Sequence, residues 1–92
     1  MIELILVSDN LNDEQRVIDS NIDNFYFTFL DIQSVLSRKQ AYQLKSDWGA
    51  RENPFAIVKN KDEVLRCFYA ESKKDVVDDA LNFIKSVNET YD

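Results

Sequence analysis

The chain has 92 residues, 45% of them hydrophobic and 12% aromatic, so one compact core and a single domain over 1–92 are expected. A net charge of −6 argues against nucleic acid or an anionic membrane as the main partner. The absence of His excludes imidazole catalysis and His-ligated zinc, and the single Cys excludes an internal disulfide.

Ile2, Leu4, Ile5, Leu6 and Val7 form a nearly continuous apolar run, which predicts a central strand covered on both faces. Ser8, Asp9 and Asn10 end it. Asn12 with Gln15 three residues on reads as a capping box, and a helix is expected from about Asp13 to Asp23. Leu11, Gln15, Ile18 and Ile22, with Val17 beside them, would form its inner face. Phe25 to Leu30 is aromatic, free of charge and the strongest strand signal in the chain. Phe25, Phe27 and Phe29 would share one face of that strand, and Tyr26, Thr28 and Leu30 the other.

A second helix is expected from Ser34 or Ser37 to Asp47. Ser37 and Gln40 are a possible capping box, and Val35, Leu36, Tyr42 and Leu44 the buried positions. The only Gly, Gly49, follows it, then the only Pro, Pro54. Gly suits a left-handed helix end and Pro the first residue of a strand. A strand over Phe55 to Lys59, a turn at Asn60-Lys61-Asp62 and a strand over Val64 to Ala70 would make an antiparallel hairpin. Ser72, with Asp75 three residues on, would cap a last helix. Val76, Val77, Ala80, Leu81, Phe83, Ile84 and Val87 give that helix a broad apolar face, and Asn88 to Asp92 is expected to fray. The order is βαβαββα, a parallel pair extended by an antiparallel hairpin.

These residues resemble the thioredoxin fold. The match is carried by Trp48-Gly49-Ala50-Arg51, then Pro54, the strand, the turn and Glu63-Val64, with one extra residue between Arg51 and Pro54. In its brevity the chain is more like a glutaredoxin. The resemblance implies an α/β fold with a four-stranded mixed sheet, order 2-1-3-4, helices on both faces, and a cis peptide before Pro54. It also places redox chemistry at the start of the first helix, as Cys-x-x-Cys. There one thiolate attacks a disulfide and a second resolves the mixed disulfide. The matching segment here, Ser8 to Asp13, has no Cys, and Asp9 and Asp13 would disfavour a thiolate nearby. A redox-inactive member of that fold is therefore expected, with no catalytic residue, cofactor or metal.

Such a module would act by protein–protein contact, as a subunit, adaptor or structural part of a larger assembly, with a protein partner or further copies of itself. The candidate contact residues are Phe25, Phe27 and Phe29 on what the resemblance makes an edge strand, and Trp48, Asn53 and Pro54 at the corner. Each also has a plain structural reading, as core or turn. The alternative is a glutaredoxin-class or glutathione-binding protein that uses the Asn53–Pro54 edge, with Ser8 or Cys67 in place of the missing thiol. Cys67 otherwise reads as a small core residue. The acids at Asp9, Asp13 and Glu14, and at Asp75, Asp78 and Asp79, lack the spacing of an EF-hand loop and complement helix N-termini.

Charge is uneven: residues 1–33 hold seven acids and one base, residues 34–74 nine bases and five acids, and residues 75–92 five acids and one base. The basic middle is either a contact face or a solvated surface. No apolar run of about 18 residues exists and no basic segment precedes an apolar one at the start. A cytoplasmic location, or a place within a virion if the chain is of viral or phage origin, is the expectation.

Overall fold

The computed structural model describes residues 1–70 and 75–91. In chain order these form β1 (Ile2–Ser8), α1 (Leu11–Ile18), β2 (Phe25–Asp31), α2 (Val35–Trp48), β3 (Phe55–Asn60), β4 (Glu63–Tyr69) and α3 (Val76–Tyr91). The four strands make one mixed sheet in the order β2-β1-β3-β4. β1 runs parallel to β2 and antiparallel to β3, and β3 pairs antiparallel with β4.

Strand alternation divides the interior into two layers. Ile2, Leu4, Leu6, Ala56, Val58 and Phe68 face α1 and α3, meeting Val17, Val76, Val77, Ala80, Leu81 and Ile84. Val7, Phe55 and Ile57 face the other way with Leu30 and meet α2 at Ala41. β1 is thus covered on both sides, as its apolar run requires. The α2 side is much the thinner layer, since Ala41 is the helix's only fully buried residue.

Left-handed residues punctuate the chain where the elements turn. Gly49 closes α2 at φ +70°, with its N–H and that of Ala50 on the carbonyls of Ser46 and Lys45. Lys61 takes φ +56° in the tight hairpin turn. A register shift at Val58/Lys59 leaves Leu65 as the extra residue of β4. It brings Arg66 to the α3 side, its guanidinium over the rings of Phe68 and Phe83 at 5.2 and 5.7 Å.

Several helix details differ from the sequence reading. α1 starts at Leu11 with Asn10 as its cap, not Asn12; the Asn10 side chain accepts from the Asn12 N–H at 2.9 Å. Gln15 does not reach back to the cap but donates to Asp19. The helix stops at Ile18 rather than Asp23, and Asn21, left-handed at φ +57°, cannot continue it through the expected span. Its buried side is Asp13 and Val17, four residues apart, and Leu11 and Ile18 face solvent. α2 begins after Ser34, whose side chain makes no capping bond, so Ser37 is inside the helix. Of the four positions expected inside α2 only Leu44 is half-buried; Val35, Leu36 and Tyr42 are 82%, 94% and 53% exposed. The strands begin and end within one residue of expectation. α3 continues to Tyr91 where fraying from Asn88 was expected, and Asn88 donates to the Asp23 carbonyl at 2.9 Å. The proposed cap Ser72 lies outside the described residues.

Asp75 caps α3 instead, accepting from the Asp78 N–H at 3.0 Å. Arg16 ties α1 to this point, reaching Asp75 at 2.7 Å and Asp78 at 2.8 Å. Burial alone would raise the Asp75 carboxyl, but the Arg16 guanidinium and the Asp78 and Val77 N–H groups outweigh it and hold it below the ordinary value of 3.8. Losing the cap costs about 1 kcal/mol, and solvent screening keeps each exposed ion pair below about 1 kcal/mol. Asp75→Ala should therefore cost about 1–2 kcal/mol at neutral pH, and Asp75→Asn, which keeps the capping oxygen, less. Because the folded pKa is depressed, this stabilisation is present above the unfolded carboxyl's pKa and is lost as pH falls through the folded value. Urea midpoints at about pH 7 and about pH 3 should show the gap between wild type and Asp75→Asn narrowing in acid.

Candidate functional site

The carboxyl ends of β1 and β2 and the start of β3 meet at one end of the sheet, where Val7 pairs with both Leu30 and Phe55. In open α/β sheets this is the end at which ligands bind. Ser8 closes β1 there. Its side chain is fully buried: the hydroxyl donates to Asp13 Oδ2 at 2.7 Å and accepts from the Asn10 N–H at 3.0 Å. The Ser8 carbonyl accepts from the Ile32 N–H at 3.1 Å, linking the two strand ends. Asp13 is 9% exposed and has Arg16 3.9 Å away. The loop into α1 is a closed hydrogen-bond network, with the Ser8 hydroxyl engaged as both donor and acceptor.

Asn53 and Pro54 lie just before β3, joined by a cis peptide bond. Both are half-buried, and the Asn53 side-chain oxygen accepts from Lys45 Nζ at 2.7 Å. Trp48 ends α2 and is 40% exposed. Its carbonyl accepts from the Tyr69 hydroxyl at 2.8 Å, while the Tyr69 ring stacks on Phe55 with centroids 5.3 Å apart. Trp48, Asn53 and Pro54 are thus placed by α2, β3 and β4 together.

Phe25, Phe27 and Phe29 are elsewhere, on edge strand β2, with β1 and β3 between them and β4. Their rings are half-buried against the α1/α3 layer, with Phe27 and Phe29 6.4 Å apart. The outward face of β2 shows Tyr26 instead, 63% exposed. The six candidate contact residues therefore form two separate places.

Cys67 sits mid-β4, half-buried against the α2 layer. Burial pushes its thiol up from the ordinary value, with a hydrogen bond to Tyr69 pulling the other way. A thiol so placed is a weak nucleophile. Among the described residues no group of three or more His, Cys, Asp or Glu side chains is placed to hold a metal ion, and no helix is long and apolar enough to cross a membrane.

Two apolar helix stripes escaped the sequence reading. Val35, Leu36 and Tyr42 line the outside of α2, and Leu11 and Ile18 the outside of α1. The signal lay in α2 itself, where Ala41 and Leu44 fall on one side and Val35 and Tyr42 on the other. No protein-family model, curated protein or solved structure matches the chain.

Proposed function

We propose that the chain is a redox-inactive module of thioredoxin-like fold that acts through protein–protein contact, as a subunit or adaptor of a larger assembly. The observation that carries this reading is the start of α1. Where that fold keeps its reactive thiol, this chain has a buried Ser8 whose hydroxyl is engaged by Asp13 and Asn10. The only thiol, Cys67, is on a different element and held toward its neutral form by burial. The exposed apolar residues of α1 and α2 supply surface for contact instead. Glutathione binding at Asn53–Pro54 finds less support, because neither stand-in for a thiol there is free: the Ser8 hydroxyl is engaged by Asp13 and Asn10, and Cys67 is half-buried on β4 against the α2 layer.

The test is disulfide reduction. With insulin and dithiothreitol, the protein should not accelerate reduction above the reagent alone. A millimolar glutathione titration should give no saturable change in Trp48 fluorescence. Cys67 should react with Ellman's reagent slowly in the native protein and fast in denaturant. Catalytic turnover of disulfide would overturn the reading.

A further inference from the structure

The two exposed apolar stripes lie on opposite sides of the sheet and have opposite charge. On α1, Leu11 and Ile18 are 63% and 59% exposed, and they stand seven residues apart on the helix face opposite Asp13 and Val17. Glu14 and Asp19 flank them, with Asp9 just ahead of the helix. On α2, Val35, Leu36 and Tyr42 project away from Ala41. Lys39 lies between them and Arg38 beside them. Arg38 is held by the carbonyls of Ile32 and Gln33, which leave its charge uncompensated, and Lys39 has no ion pair among the described residues. α2 has no acid in its first turn, whereas α1 has Asp13 and Glu14 there.

We infer that the partner of the α2 face is the α1 face of a second copy of this chain. The inference rests on the contact-module reading above and names its occupant. An apolar stripe edged by bases and another edged by acids are complementary in both hydrophobicity and charge. α1 and α2 are separated by the sheet, so the two stripes cannot meet within one chain. Two copies of the α2 face would set bases against bases, and two of the α1 face acids against acids, which disfavours a symmetric pairing. The contact is therefore head-to-tail: each copy offers one donor face and one acceptor face, and assembly extends or closes into a ring.

The geometry makes a specific prediction for mixtures. Val35→Gln with Lys39→Gln takes the apolar and basic character from the α2 face without making it acidic, and leaves α1 intact. Glu14→Lys with Ile18→Lys spoils the α1 face and leaves α2 intact. None of these four residues is buried, so both variants should keep the wild-type circular dichroism and thermal midpoint. Sedimentation velocity of the wild type should show mass rising with concentration from micromolar to millimolar. The effect should weaken between about 50 and about 500 mM salt as charge is screened. Each variant alone should stay monomeric. Mixed in equal amounts they should form a one-to-one dimer and nothing larger, since only one pair of intact faces remains. A wild type that stays monomeric at millimolar concentration overturns the inference, as does a folded mixture that fails to dimerise. Neither result bears on the thiol chemistry, whereas disulfide turnover would remove the module reading whatever the state of assembly.

Discussion

Phe55→Ala should destabilise the fold by about 3–5 kcal/mol, the range for deleting a fully buried aromatic ring. Phe55 is 0% exposed and opens β3 between Val7 and Tyr69, stacked on the Tyr69 ring. It belongs to the smaller of the two layers, where, among the described residues, only Val7, Leu30, Ala41 and Ile57 are also buried. That layer holds α2 to the sheet, and a cavity in it has few neighbours able to close around the gap. A domain of this size has about 5–15 kcal/mol in all, so the variant should be near the limit of folding. Its urea midpoint should fall far below that of Phe25→Ala, which truncates a half-buried ring at the edge. In the wild type, hydrogen exchange should be faster along the outer face of α2 than along α3, whose Val76, Val77, Ala80 and Ile84 are all buried. A midpoint change under about 1 kcal/mol for Phe55→Ala would mean that the α2 layer contributes little to the fold.

The sequence made the strands legible and the helix faces less so. Ile2 to Val7 and Phe25 to Leu30 announce themselves by continuous apolar or aromatic character, which only a covered strand tolerates. Gly49, Pro54 and Asn60-Lys61-Asp62 mark the turns that force β3 and β4 into a hairpin. α3 was readable because its seven apolar positions make one broad stripe. α1 and α2 were misread for a common reason. Each carries apolar residues on two sides, and only the layer beneath decides which side is buried. Under α1 the sheet takes Asp13 and Val17, and under α2 it takes Ala41, leaving the larger side chains outside. A small buried Ala beneath large exposed Leu and Tyr inverts the usual reading of size as burial. The bond between Arg16 and the Asp75 cap, across 59 positions, had no local signature at all. At the candidate site, that Ser8 to Asp13 holds no Cys was plain from the sequence. That Ser8 and Asp13 would lock together was not, since a Ser five residues before an Asp is common in any loop ahead of a helix.

That lock is itself testable, and its expected behaviour is strongly non-additive. Asp13→Ala should cost about 2–3 kcal/mol, because it strips the acceptor from a hydroxyl that water cannot reach and removes a carboxylate from the first turn of α1. Ser8→Ala alone should cost less, since Asp13 keeps 9% exposure and has Arg16 within 3.9 Å. The Asn10 N–H, on an exposed residue, can turn to solvent. In the double variant the orphaned hydroxyl is gone, so the combined cost should fall short of the sum by about 1 kcal/mol or more. Asp13→Asn, which retains an acceptor oxygen, should sit between wild type and Asp13→Ala. Urea titrations of the four proteins measure the cycle directly, and additive costs would mean that the 2.7 Å contact does not stabilise the fold. The same residues orient the first turn of α1, where Leu11 stands. Asp13→Ala should therefore also weaken self-association, while Ser20→Ala, beyond the far end of the helix, should leave it unchanged. The Ser8–Asp13 network would then have a second consequence, holding one of the two complementary faces in place.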